Sequence, residues 1–140
     1  MENTKIIINT DGGSRGNPGP SAIGVVIEGR GREGKLLWQK KFKEFLGTAT
    51  NNIAEYKAMI LALKEVRKLA GGADIEVRTD SELMYRQIIG QYKVKDANLK
   101  LLFNEVEYLK QDLKNIAFRH VPREENSAAD ALVNETLDSV

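Results

Sequence analysis

The hydrophobic periodicity of this chain changes character at residue 50, and that change restricts the folds open to it. Before it lie three short runs rich in β-branched and aromatic residues: TKIIINTD (4–11), SAIGVVIEG (21–29) and LLWQKKFKEF (36–45). The first is followed by the turn-forming cluster GGSRGNPGP and the second by a loop at 29–35. Such runs read as strands, the third pairing back on the second as a hairpin. From 51 to 70 the spacing becomes helical, with Ala58, Met59, Ala62, Leu63, Val66 and Leu69 on one face and Gly71-Gly72 as the stop. DIEVRTD (74–80) reads as a fourth strand, and Ser81 is placed to cap a short helix at about 82–90 that Gly90 closes. Residues 98–113 put Leu99, Leu102, Phe103, Val106, Leu109 and Leu113 on one helical face. NIAFRHV (115–121) gives a fifth strand, and a last helix runs from about 127 to 138.

The order βββαβααβα implies an antiparallel meander of three strands. The helical crossovers make strands four and five parallel additions to the same sheet. The expected architecture is an α/β domain over residues 1–140, with a five-stranded mixed sheet in the order 3-2-1-4-5 flanked by helices. At 140 residues and 41% hydrophobic content the chain can bury a core of that size.

Against that framework four carboxylates stand in costly places. Asp11 and Asp80 end apolar strand runs. Glu55 continues the stripe of Met59, Ala62, Leu63 and Val66 one turn toward the helix N-terminus. Asp130 lies beside the stripe of the last helix and shares a face with Asn126, Val133 and Leu137. Taken singly, each has an ordinary reading as a turn, a cap or a first-turn acid. Jointly they converge at the carboxyl end of a sheet, where strands one and four diverge. Four acids there cannot all stay ionised unaided. With no Cys and one His in the chain, any metal shell would be built from oxygen, which selects Mg²⁺ or Mn²⁺ over zinc. Two such ions can activate a water and stabilise the leaving oxygen of a phosphodiester.

The segments TDGGSRGNPGP (10–20), TNNIAEYKA (50–58), TDSE (79–82) and REENSAADAL (123–132) resemble the successive motifs of type 1 ribonuclease H. The resemblance spans about residues 5 to 135. It implies a ribonuclease H-like fold and hydrolysis of the RNA strand of an RNA/DNA hybrid by a two-metal-ion mechanism, leaving 5′-phosphate and 3′-hydroxyl ends. The metal-binding, catalytic acids it implies are Asp11, Glu55, Asp80 and Asp130. It implies that Asn17 and Thr50 hold a phosphate of the DNA strand and that the backbone at Gly12 and Gly13 approaches the RNA ribose. Asn51, Asn52, Ser81 and Glu82 would then face 2′-hydroxyls and minor-groove base edges.

The chain departs from many relatives in lacking a Lys- and Trp-rich basic handle. The corresponding stretch is QYKVKDAN (91–98), with Lys93 and Lys95. Grip on the substrate is therefore expected to rest on scattered Lys and Arg, with a modest salt dependence. His120 alternates with Ile116 and Phe118 and reads as a strand residue, so the loop before the last helix offers Arg123 or Glu124 instead of a histidine. GRGREG (29–34) fits a dinucleotide-binding pattern literally, but a strand follows it where a helix is required. Trp38 reads as core or hairpin packing.

Net charge is +1, which excludes a large basic arm without excluding nucleic acid. The absence of Cys suits a reducing cytoplasm, and MENTKIIIN lacks the features of a secretory signal. A monomeric, cytoplasmic enzyme that engages no membrane is expected. The competing reading is a module of the same fold that binds hybrid or double-stranded RNA without cutting it efficiently.

Overall fold

The computed structural model describes residues 5–69 and 72–140. The expected start of the first strand at Thr4, and the helix stop at Gly71, lie outside the described residues. Five strands, β1 (Lys5–Ser14), β2 (Gly19–Arg30), β3 (Leu36–Ala49), β4 (Asp74–Thr79) and β5 (Ile116–His120), form one sheet in the order β3-β2-β1-β4-β5. β1 pairs antiparallel with β2 and parallel with β4; β2–β3 is antiparallel and β4–β5 parallel. The helices are α1 (Asn51–Arg67), α2 (Glu82–Ile88), α3 (Ala97–Lys110) and α4 (Ser127–Asp138).

Alternation along the strands separates two faces. Ile6, Ile8, Val25, Ile27, Ile75 and Val77 join Tyr56, Met59, Leu63 and Val66 of α1 and Val106 and Leu109 of α3 in the main core. Each fully buried Ile or Leu there contributes about 1.5–3 kcal/mol. Trp38 packs, half-buried, at the margin of this core. The other face is covered by α4, whose Val133 and Leu137 meet Ala22 in a smaller cluster. Beyond α4 that face carries charge. Glu76, 7% exposed, holds Lys5 Nζ at 3.0 Å, Arg78 Nε at 2.5 Å and Arg119 Nη1 at 3.3 Å.

Several boundaries differ from the sequence expectation. β1 continues three residues past Asp11, because Gly12, Gly13 and Ser14 pair with Ile23, Ala22 and Ser21. Asp11 therefore lies within the strand instead of ending it. β3 runs on to Ala49, whose carbonyl accepts from the hydroxyls of Ser14 and Ser21. Leu69 and Leu113 fall after α1 and α3 have ended, yet both pack on the core. The segment GRGREG makes a 3₁₀ turn at Arg32–Gly34 inside the β2–β3 hairpin.

Candidate active site

Parallel pairing sets Thr10 beside Thr79, so the next residues, Asp11 and Asp80, emerge side by side. Both follow residues whose side chains enter the main core, and by alternation they project to the α4 face. Two glycines then let the helices close in. A Cβ on Gly12 would stand 2.3 Å from the backbone of Ala54, so β1 and the first turn of α1 touch directly. This contact carries the neighbouring Glu55 into the site, where its Oε1 accepts the Gly12 N–H at 2.8 Å. Gly24, paired with Asp11, gives α4 the same access from the opposite face, and Asp130 follows the contact residue Ala129.

The result is a polar cleft of about 460 Å³ lined by all four carboxylates, Asp11, Glu55, Asp80 and Asp130. Asp11, Glu55 and Asp80 each offer an oxygen within 4.8 Å of the others. Asp130 stands beside them, close enough to Asp11 to raise its carboxyl. From the solvent side Asp130 meets Arg123 Nη2 at 3.6 Å and Asn134 Nδ2 at 3.3 Å.

Electrostatics make this arrangement costly without a cation. Burial, then the charges of Asp80 and Asp130, raise the Asp11 carboxyl to about 8, against partial relief from Arg123. Burial, then Asp11 and Asp80, hold Glu55 well above the ordinary carboxylate range, though the Gly12 N–H opposes this. Asp80 is raised by burial, with Arg123 opposing. An all-oxygen cluster whose charged forms are disfavoured by its own members fits a hard divalent cation, which would restore ionisation.

The other residues singled out by sequence divide into two groups. Gly12, Gly13 and Asn51 line the cleft. Asn17, Thr50, Asn52, Ser81 and Glu82 lie outside its walls, on the adjoining helix starts and loop. Asn17 Oδ1 accepts the Asn51 N–H at 2.9 Å, which holds the β1–β2 loop against α1. Thr50 Oγ1 caps α1 by accepting from Ile53, and Ser81 Oγ caps α2 by accepting from Met84. Glu82 binds Arg86 Nε at 2.9 Å. His120 is the last residue of β5; its ring lines the cleft rim and stacks on Tyr85 at 6.0 Å. Residues 89–96, where a handle would stand, form a loop in which Tyr92 lies under the Arg86 guanidinium.

Arg15 and Asn134 also line the cleft and were not singled out by sequence. Asn134 carried a usable signal, since it stands one helical turn after Asp130 and returns a hydrogen bond to it.

Residues 9–136 match the family model described as reverse transcriptase-like. LC11-RNase H1, isolated from compost by a metagenomic approach, superposes with a TM-score of 0.85 at 46% identity, covering 97% of each chain. The same protein has been solved in complex with an RNA/DNA hybrid. Ribonuclease HI of Halobacterium salinarum is 41% identical over 91% of this chain and 62% of its own length. A bifunctional protein of Mycobacterium tuberculosis is 38% identical over 96% of this chain, which spans only 36% of that relative.

Proposed function

This chain belongs to the type 1 ribonuclease H family, and from that premise we propose that it hydrolyses the RNA strand of RNA/DNA hybrids, leaving 5′-phosphate and 3′-hydroxyl ends. The observation that carries the reading is the meeting of Asp11, Glu55 and Asp80 within 4.8 Å, with Asp130 alongside. These four acids are the residues that would hold two ions, Mg²⁺ or Mn²⁺. When bound, such ions supply a nucleophilic water at neutral pH and charge stabilisation of the leaving oxygen.

The chain's own residues orient the reaction. The Gly12 N–H fixes one oxygen of Glu55, leaving the other directed to the site. Arg123 faces Asp130 from solvent and sets a positive charge at the edge of the acids. The β1 backbone at Gly12 and Gly13 lines the cleft, where a ribose would approach it. Asn17, with its Oδ1 engaged by the Asn51 N–H, offers its Nδ2 donors with the Thr50 hydroxyl to a phosphate of the DNA strand. Asn51, Asn52, Ser81 and Glu82, at the starts of α1 and α2, would read 2′-hydroxyls and minor-groove edges.

The test is incubation of the protein with labelled RNA/DNA hybrid, RNA duplex and DNA duplex in Mg²⁺, Mn²⁺ or EDTA. Cleavage of the RNA strand of the hybrid, abolished by EDTA and by Asp11→Asn, is expected. Hybrid binding without cleavage in either metal would replace the enzyme reading with that of a binding module.

A further inference from the structure

Asn126 is 1% exposed and stands at the N-cap of α4, where an Asn side chain ordinarily accepts from the helix's first turn. It makes no such bond. Its Nδ2 donates to the Thr10 carbonyl at 2.8 Å, and its Oδ1 accepts from Asn9 Nδ2 at 3.0 Å. The same side chain faces the Asp80 carboxyl group and acts to lower it. Thr10 precedes Asp11 in β1, Asp80 follows β4, and Asp130 lies one turn into α4. One buried amide therefore ties α4, which carries Asp130, to β1 beside Asp11, and lies against the Asp80 carboxyl.

We propose that Asn126 is a positioning residue of the carboxylate site, fixing the spacing of Asp11, Asp80 and Asp130 at which divalent cations are held. The inference rests on the hydrolase reading and deepens it. The chemistry of the side chain supports the assignment. Bonding Thr10 requires a donor and bonding Asn9 requires an acceptor; an amide supplies both from one planar group, with a second N–H for the Asp80 carboxyl. A carboxylate at position 126 would keep the bond to Asn9, lose the one to Thr10 and repel Asp80. A Lys or Arg would satisfy Asp80, but its charge would compete with a bound cation. A neutral donor orients the acid and leaves its charge available.

The alternative is that Asn126 only anchors α4 to the sheet, and the two roles separate experimentally. Asn126→Ala, Asn126→Asp and Asn9→Ala are compared with the unaltered protein by three measurements. These are Mn²⁺ binding to substrate-free protein by titration calorimetry, kcat and KM on a labelled hybrid, and the thermal midpoint in EDTA. Asn126→Ala is expected to weaken Mn²⁺ binding about tenfold and to lower kcat at least tenfold with KM within threefold. Asn126→Asp, of nearly the same volume, is expected to lose kcat similarly, because a like charge replaces the donor to Asp80. Asn9→Ala removes only the outer bonds, to Asn126 Oδ1 and to the Glu125 carbonyl, and is expected to lower the midpoint while leaving kcat and Mn²⁺ affinity unchanged.

A folded Asn126→Ala variant that keeps kcat and Mn²⁺ affinity within twofold, with only its midpoint lowered, would overturn the proposal. So would loss of the cooperative transition in both position-126 variants. An unaltered protein that binds Mn²⁺ but leaves the hybrid intact would sink the hydrolase reading instead, and the Mn²⁺ affinities would still decide the positioning role.

Discussion

Gly24 of β2 lies so close to Ala129 of α4 that a Cβ on Gly24 would stand 2.4 Å from the Ala129 carbonyl oxygen. It would also come within 2.8 Å of Leu132 Cβ, so neither backbone nor side chain leaves room. Gly24→Ala must push α4 off the sheet and carry Asp130 with it. We expect a loss of about 1–3 kcal/mol in urea unfolding and at least a tenfold fall in hybrid cleavage. Unchanged stability would mean that α4 is not clamped at this point.

Asp11→Asn should separate stability from chemistry. The substitution removes a carboxyl that burial and the charges of Asp80 and Asp130 force to take up a proton on folding, so the thermal midpoint in EDTA should rise. Cleavage should fall by about a thousandfold or more. A lower midpoint would show that Asp11 is held by favourable contacts and not merely tolerated.

The same repulsion predicts an unusual pH dependence. Asp11 titrates from an ordinary 3.8 when unfolded to about 8 when folded, so between those values the folded state binds the extra proton. Stability without metal should be greatest at the acidic end of this window and fall as pH rises toward 8. Glu76 acts in the opposite sense, because its ion pairs lower its carboxyl, but only as pH falls through and below its ordinary 4.5. Thermal melts in EDTA from pH 5 to 8 should show a falling midpoint, and Mg²⁺ should flatten the slope. A midpoint rising with pH in EDTA would contradict the electrostatic picture of the site.

Arg123 lowers the carboxyl groups of both Asp11 and Asp80, although its own side chain is 78% exposed. Arg123→Ala should change folding stability by less than about 0.5 kcal/mol. The acidic limb of the pH–rate profile should move to higher pH, since the acids then hold their protons longer. A profile superimposable on that of the unaltered protein would remove Arg123 from the site's electrostatics.

Tyr56 is a control at some remove from the cleft. Its hydroxyl donates to Gln87 Oε1 at 2.6 Å in the buried seam between α1 and α2. Tyr56→Phe leaves the Gln87 oxygen without that donor and should cost about 1–3 kcal/mol in chemical unfolding. Hybrid cleavage by the folded protein should be nearly unaffected. A loss of activity matching the loss in stability would show that the seam sets the spacing of Glu55 and Asp80.

Residues whose partners are local could be read directly. The bounds of α4, the cap at Ser81 and the inward stripe of α1 all follow from neighbours within a turn or two. What escaped reading depends on distant partners. Gly12 and Gly13 resemble turn residues, but pairing with β2 keeps them in a strand. Leu69 and Leu113 preserve helical periodicity after their helices end, because the following turn still packs on the core. Asn126 has the sequence signature of a helix cap, and its side chain is diverted by Thr10 and Asn9. Of the cleft, the acids were legible because four carboxylates at strand ends and on or beside helix stripes converge once the strand order is read, though each alone looks ordinary. Arg15 was not, since a cation in a polar loop is commonplace.

The bond from Asn126 to Thr10 spans 116 positions of the chain. During synthesis β1 precedes the other strands, and Asp130 and the residue that ties it to β1 arrive only after the whole sheet. No nascent fragment short of α4 can present four acids to one phosphate. Assembly of the four-acid site thus follows completion of the sheet and α4, so a half-made chain holds no finished carboxylate cluster.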